Sequence, residues 1–152
     1  MSTPETPEGA SEVYRRYVSA VLFHGHAAAR ACGLGATDLY ALNILRLAGA
    51  MTPGELAART GLTTGPTTRL IDRLERAGHV RRTPDASDRR KVLVEPLAVP
   101  AALDEALEPA RRGVGEIIAD CTPEEREVLF GYFARAADAY QRAAEQLRGG
   151  GA

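Results

Sequence analysis

Apolar positions separated by alternating steps of four and three mark both ends of the chain. Val13, Tyr17, Ala20, His24, Ala27 and Ala31 recur in this way and predict a helix over 10–31 with one seam for packing on another helix. Leu129, Phe133, Ala136, Tyr140, Ala143 and Leu147 repeat the pattern and predict a last helix running to about 147. Between them the signals are shorter and sharper. Thr37 or Asp38 caps a second helix ending near Leu47, and Gly49 closes it. Thr52-Pro53-Gly54-Glu55 is a capping box with proline at the first helical position, and it opens a short helix before Gly61. Thr63 caps a helix over 64–77, in which Pro66 is tolerated because it falls in the first turn, and Gly78 stops it. Two short strands, 80–82 and 91–95, flank a polar stretch rich in turn formers, which predicts a β-hairpin. Pro96 and Pro100 end the strands. A helix over 100–119 follows, with Pro109, Gly113 and Gly115 expected to kink or weaken it. Thr122-Pro123-Glu124-Glu125 then repeats the capping box.

The expected fold class is mainly α with a small β-hairpin. Two short helices joined by a tight turn and followed by a hairpin make a winged helix-turn-helix, which is expected over 37–97. The flanking segments 10–36 and 98–148 are expected to supply a helical dimerisation region of the same domain, because two seam helices are more than one small subunit has reason to expose. Residues 1–9 are expected to be disordered and 149–152 to be a loose tail.

Composition changes this picture little. The chain has 152 residues, 45% hydrophobic and 26% charged, a globular balance. No apolar run approaches the ~18 residues of a membrane span, and the first nine residues have neither the basic nor the apolar part of a targeting peptide. The cytoplasm is the expected location. Cys32 and Cys121 lack metal-ligand spacing, and no metal or cofactor is expected.

Charge changes it more. The formal net charge is −1, but residues 59–91 carry nine basic and four acidic side chains, which leaves 10 basic and 16 acidic elsewhere. A basic segment inside an otherwise acidic chain is a footprint of polyanion contact. On the helix over 64–77, Leu70 and Leu74 share the core side, with Thr67 and Ile71 near it, while Gly65, Thr68, Arg69, Asp72 and Arg76 fall opposite. Small residues at the exposed N-terminal half let a helix sit deep in a major groove, where Thr and Arg reach base edges. The candidate DNA-contacting residues are Thr63, Thr64, Gly65, Thr67, Thr68, Arg69 and Arg73 on this helix and Asp88, Arg89 and Arg90 on the hairpin. Arg73 lies near the core boundary and has a structural alternative. Asp88 is expected to fix the Arg90 rotamer through an ion pair. A solvated, internally paired charged face is the plainer alternative for the helix and the hairpin tip.

The runs Thr52-Pro53-Gly54-Glu55-Leu56-Ala57, Gly61-Leu62-Thr63-Thr64-Gly65, Thr68 to Gly78 (TRLIDRLERAG) and Asp88-Arg89-Arg90 resemble the multiple-antibiotic-resistance regulator (MarR) family. The close match covers about 37–95. The resemblance implies a homodimer built from the first and last helices, a recognition helix in the major groove, and Arg90 in the minor groove with an acidic partner at Asp88. It also implies repression at palindromic, inverted-repeat operators on double-stranded DNA, often relieved by a small, frequently aromatic ligand or by thiol oxidation. One departure is Glu95-Pro96-Leu97, where many members have a Leu-Thr pair and a glycine.

Weaker signals remain open. Tyr14, Tyr17, Phe23, His24 and Tyr40 are candidates to line a pocket for a small-molecule effector, with core packing as the alternative for each. His24 and His26 are two apart, poor metal geometry on a helix. No nucleophile–base set, phosphate loop or paired carboxylates point to an enzyme. A DNA-binding protein acting by occupancy without a ligand, and a winged helix serving protein contact, are the competing readings.

Overall fold

The computed structural model describes residues 9–149. The segments expected to lack order, 1–9 and 149–152, therefore lie almost wholly outside the described residues. Gly9 stands at the N-cap of the first helix and Gly149 is the last residue of the final one. The element order is α1 (Ala10–Ala31), α2 (Ala36–Ala48), α3 (Pro53–Thr60), α4 (Thr64–Arg76), β1 (Val80–Pro84), β2 (Val92–Pro96), α5 (Ala101–Ala119) and α6 (Pro123–Gly149). This is the predicted mainly α fold with its hairpin wing.

Local chemistry explains most boundaries. At α3, Thr52 N–H donates to Glu55 Oε2 at 2.7 Å and Glu55 N–H donates to Thr52 Oγ1 at 3.2 Å. At α6, Thr122 N–H donates to Glu125 Oε2 at 2.8 Å and Glu125 N–H donates to Thr122 Oγ1 at 3.2 Å. Helix α2 starts earlier than expected. Gly35 is its N-cap, and Asp38 sits three residues on, where Oδ2 accepts Gly35 N–H at 2.9 Å. Asp38 is thus the reciprocal half of a capping box whose glycine has no side chain to complete it.

The core of the first compact unit, which ends at Leu107, lies among α2, α3, α4 and the hairpin. Leu42, Leu45, Leu56, Leu70, Ile71, Leu74, Val80, Val94 and Leu103 are its fully buried aliphatic side chains. Strands β1 and β2 pair antiparallel, with Val80 opposite Pro96 and Thr83 opposite Leu93. Met51, just before α3, adds an isolated bridge to Val94: Val94 N–H donates to Met51 O at 2.7 Å and Met51 N–H to Val94 O at 3.2 Å. It anchors the hairpin to the start of α3.

The second unit begins at Glu108, inside α5 and beside Pro109. Helix α5 is continuous from Ala101 to Ala119 despite Pro109, Gly113 and Gly115. Proline removes one backbone N–H donor from such a helix. No described residue of α6 is buried.

Candidate nucleic-acid interface

Helices α3 and α4 are joined by Gly61, Leu62 and Thr63. Gly61 has φ 72°, a left-handed conformation that glycine adopts without steric cost. Thr63 holds the N-cap position of α4 in extended backbone, but its side chain makes no capping hydrogen bond. Pro66 has no N–H, and the Thr64 and Gly65 N–H groups precede any intrahelical acceptor. The first turn therefore presents free donors and the positive end of the helix dipole, a setting that favours phosphate.

The exposed side of α4 carries Thr64, Gly65, Thr68, Arg69, Arg73 and Arg76. A Cβ at Gly65 would lie 3.8 Å from Arg69 Nη1, so the Arg69 guanidinium is positioned over the first turn. Thr68 Oγ1 donates to Thr64 O at 3.0 Å, which leaves its lone pairs available to an outside donor.

Two residues expected to contact DNA are placed otherwise. Thr67 is 1% exposed, and its hydroxyl donates to Thr63 O at 2.9 Å. It packs in the core side of α4 because it lies three residues before Leu70 and four before Ile71, on their face. Arg73 is engaged by Asp38. Its Nη2 donates to Oδ1 at 2.5 Å and its Nε reaches both carboxylate oxygens, at 3.2 and 3.1 Å. Asp38 is buried, so departure of Arg73 would strand a carboxylate in the core. The hydrogen bond that Arg73 donates to Asp38 raises the Arg73 pKa, which keeps the guanidinium charged. Arg73 ties α4 to α2.

The wing is clamped onto α4 in the same manner. Arg82, on β1, donates through Nη2 to Asp72 Oδ1 at 2.5 Å and through Nη1 to Glu75, while its backbone N–H donates to Glu75 Oε1 at 3.0 Å. Arg81 and Glu95, directly opposite each other in the hairpin, pair at 2.7 Å. At the tip, Asp85 Oδ1 accepts Ser87 N–H at 2.7 Å, Ser87 Oγ at 2.6 Å and Asp88 N–H at 3.3 Å. These bonds, those from Ser87 foremost, hold the Asp85 carboxyl below its ordinary pKa. Asp88 does not pair with the Arg90 guanidinium. Its Oδ1 accepts the Arg90 backbone N–H at 3.1 Å, an Asx-type turn two residues long, so it shapes the loop and leaves the Arg90 side chain to the outside. Arg69, Arg89 and Arg90 are exposed and make no ion pair among the described residues.

Sequence reasoning missed the clamps. Arg82 with Asp72 and Glu75, and Arg73 with Asp38, join residues from different elements, which no local pattern announces. Asp85 was findable, since Asp-x-Ser at a hairpin tip is an Asx-turn signal.

The five candidate effector residues do not converge. Tyr14 and Tyr17 line one shallow groove along α1, Phe23 lines a second beside Arg30 and Leu34, and Tyr40 lines a third of about 570 Å³ between α1, α2 and the end of α3. His24 lines none of these, and its Nε2 is buried without a hydrogen-bond partner.

A capped helix-turn-helix, free cations on its second helix and a clamped hairpin with two further free arginines define a winged helix-turn-helix DNA-binding protein. Residues 33–91 match the MarR family. Over 149 residues the chain is 40% identical to the uncharacterised HTH-type transcriptional regulator YcgE of Bacillus subtilis (strain 168), covering 97% of this chain and 96% of that one. Its fold is similar to a MarR family protein from Bacillus stearothermophilus, at 25% identity and a TM-score of 0.62 over 91% of this chain and 99% of that one. It is also similar to BpsR of Bordetella bronchiseptica, whose DNA binding is regulated by 6-hydroxynicotinic acid, at 22% identity and a TM-score of 0.52 over 90% and 99%. The chain belongs to the MarR family of helix-turn-helix transcriptional regulators, and this family consists of regulators rather than enzymes. Among the described residues no helix is long and apolar enough to cross a membrane.

Proposed function

We propose that the protein is a homodimeric, sequence-specific repressor of cytoplasmic double-stranded DNA that reads an inverted-repeat operator and is relieved by a small molecule. The observation that carries this reading is the pairing of free and tied arginines. Arg69, Arg89 and Arg90 are left for an outside anion, while Arg73 and Arg82 are used to fix the surfaces that present them. In the reading, Thr63, Thr64, Gly65, Thr68 and Arg69 enter the major groove and Arg90 the minor groove, with Arg89 on the phosphates.

Dimerisation is supported by unpartnered apolar surface. Helix α1 exposes Val13, Val21 and Leu22, and α6 exposes Val128, Phe130 and Leu147. A second copy covers these and places two recognition helices about one turn of DNA apart. Effector binding is supported by the groove at Tyr40, whose walls include Val21, Leu22 and Leu39 with Asn43 and Thr37 as polar groups. BpsR supplies an instance of such control within the same fold.

The test is selection of bound fragments from random and genomic DNA by the purified protein. Recovery of an inverted repeat is expected, and an added aromatic acid that raises the melting temperature should also release it. Failure to enrich any sequence would contradict the reading and leave a winged helix that serves protein contact.

A further inference from the structure

His79 occupies a joint in the chain. It follows Gly78, whose φ is 76°, and completes a Schellman ending of α4: Gly78 N–H donates to Glu75 O at 3.0 Å and His79 N–H to Leu74 O at 2.9 Å. Its own carbonyl accepts Leu97 N–H at 3.0 Å, from the segment that leaves β2. One residue thus fastens the end of the recognition helix, the start of β1 and the chain beyond β2.

The residue is 9% exposed, and Nδ1 is buried without a hydrogen-bond partner. The charged groups acting on it both come from α2. Arg46, in the last turn, has Nε and Nη2 buried and unpartnered, and its positive charge acts on His79. Asp38 acts in the opposite sense, but its carboxylate is already engaged by Arg73 and by Gly35 N–H. Asp104 of α5 acts on Arg46. The neutral imidazole fits this site. A protonated one adds a second positive charge to a site on which Arg46 already acts, with no acceptor for its Nδ1–H.

We infer that His79 and Arg46 form a proton-sensitive latch under the α4–β1 joint, through which acid loosens the recognition helix from the wing and weakens DNA binding. The inference rests on the DNA-binding reading above. Burial first, and then the Arg46 charge, lower the His79 pKa from its ordinary value, with Asp38 opposing. The sign follows from linkage. The unfolded chain takes up the proton at the ordinary histidine pKa and the folded chain only below it. Stability from the latch is therefore present above the ordinary value and is lost as pH falls through and below it. The least costly way to hydrate a protonated His79 is to open the joint, because the surrounding α2 and α4 are held by the Asp38–Arg73 pair.

The experiment compares wild type, His79→Leu and His79→Gln from pH 7.5 to 5.0. It reads urea midpoints without DNA and affinity for a fragment recovered by selection. Wild type is expected to lose affinity severalfold together with urea resistance as the pH falls. His79→Leu, or His79→Gln if the leucine variant does not fold, is expected to hold both nearly level. Arg46→Met removes a charge that lowers the His79 pKa, so it is expected to move the transition to higher pH, toward the ordinary histidine value, and to shrink the affinity loss. Parallel profiles for wild type and the His79 variants would overturn the latch alone. Absence of DNA binding at pH 7.5 would overturn the DNA-binding reading and the latch's role in it, whatever the urea midpoints show.

Discussion

Arg69 and Arg73 lie one turn apart on α4, yet among the described residues Arg73 meets an acidic partner and Arg69 does not. The difference is set by Asp38, which the helix start of α2 already needs for Gly35 N–H. Replacing Arg73 by Ala leaves that buried carboxylate without its cation. Arg73 is itself half exposed, so solvent screens part of the loss, and a destabilisation of about 1–3 kcal/mol is expected in denaturant unfolding. Arg90→Ala should do the reverse, leaving the urea midpoint unchanged and weakening operator binding by about 1–3 kcal/mol. An unchanged affinity would remove Arg90 from the interface. Thr67→Val, which keeps shape and removes a hydroxyl used only on Thr63 O, should leave DNA affinity within error. At this scale the sequence was legible in part. The free arginines were identified from helix periodicity and hairpin position. The roles of Thr67, Arg73 and Asp88 were not, because a 100° step places a residue on a face but does not say which distant carboxylate or backbone group it meets.

The elements themselves were read more fully. Both capping boxes, at Thr52 and at Thr122, form with both hydrogen bonds. The start and stop of α1 fall where the seam spacing put them, and the hairpin lies where the turn formers do. What escaped was Met51. A single-residue bridge has no alternation to detect, and it became visible only with Val94 beside it. The core face of α4 makes a direct prediction. Leu74 is fully buried, and Leu74→Ala should cost about 2–5 kcal/mol as a cavity. A melting temperature equal to wild type would mean the face is misassigned. Arg82→Ala should leave α4 intact and free the wing, lowering affinity for operator while sparing most of the salt-dependent phosphate attraction. Salt-slope comparison with Arg90→Ala distinguishes the two, since only the latter removes a cation from the DNA surface.

At the scale of the whole molecule, the described residues leave many large apolar side chains uncovered. Leu147 is 83% exposed and Ile117 68%, in a unit whose last helix has no buried side chain among the described residues. Within one chain Leu147→Asp should therefore cost almost nothing. In a homodimer with α6 at the interface it should shift sedimentation toward monomer and reduce affinity for an inverted repeat. An unchanged dimer would place the interface elsewhere. The heptad-like spacing made this surface legible in the sequence, whereas the effector residues were not, because a pocket is assembled from neighbours on several elements. Tyr14, Phe23 and Tyr40 are all aromatic and all accessible, yet they open onto three different grooves.

The central claim is that α4 and the wing together bind the DNA backbone and read its grooves. Its most direct test is the dependence of log K on log salt for the wild-type protein on a selected fragment. Neutralised phosphates release counterions, so a steep negative slope is expected, reduced by about one for loss of a phosphate-contacting arginine such as Arg89. A flat slope, with folding intact, would contradict the claim and assign the free arginines of α4 and the wing to some other partner.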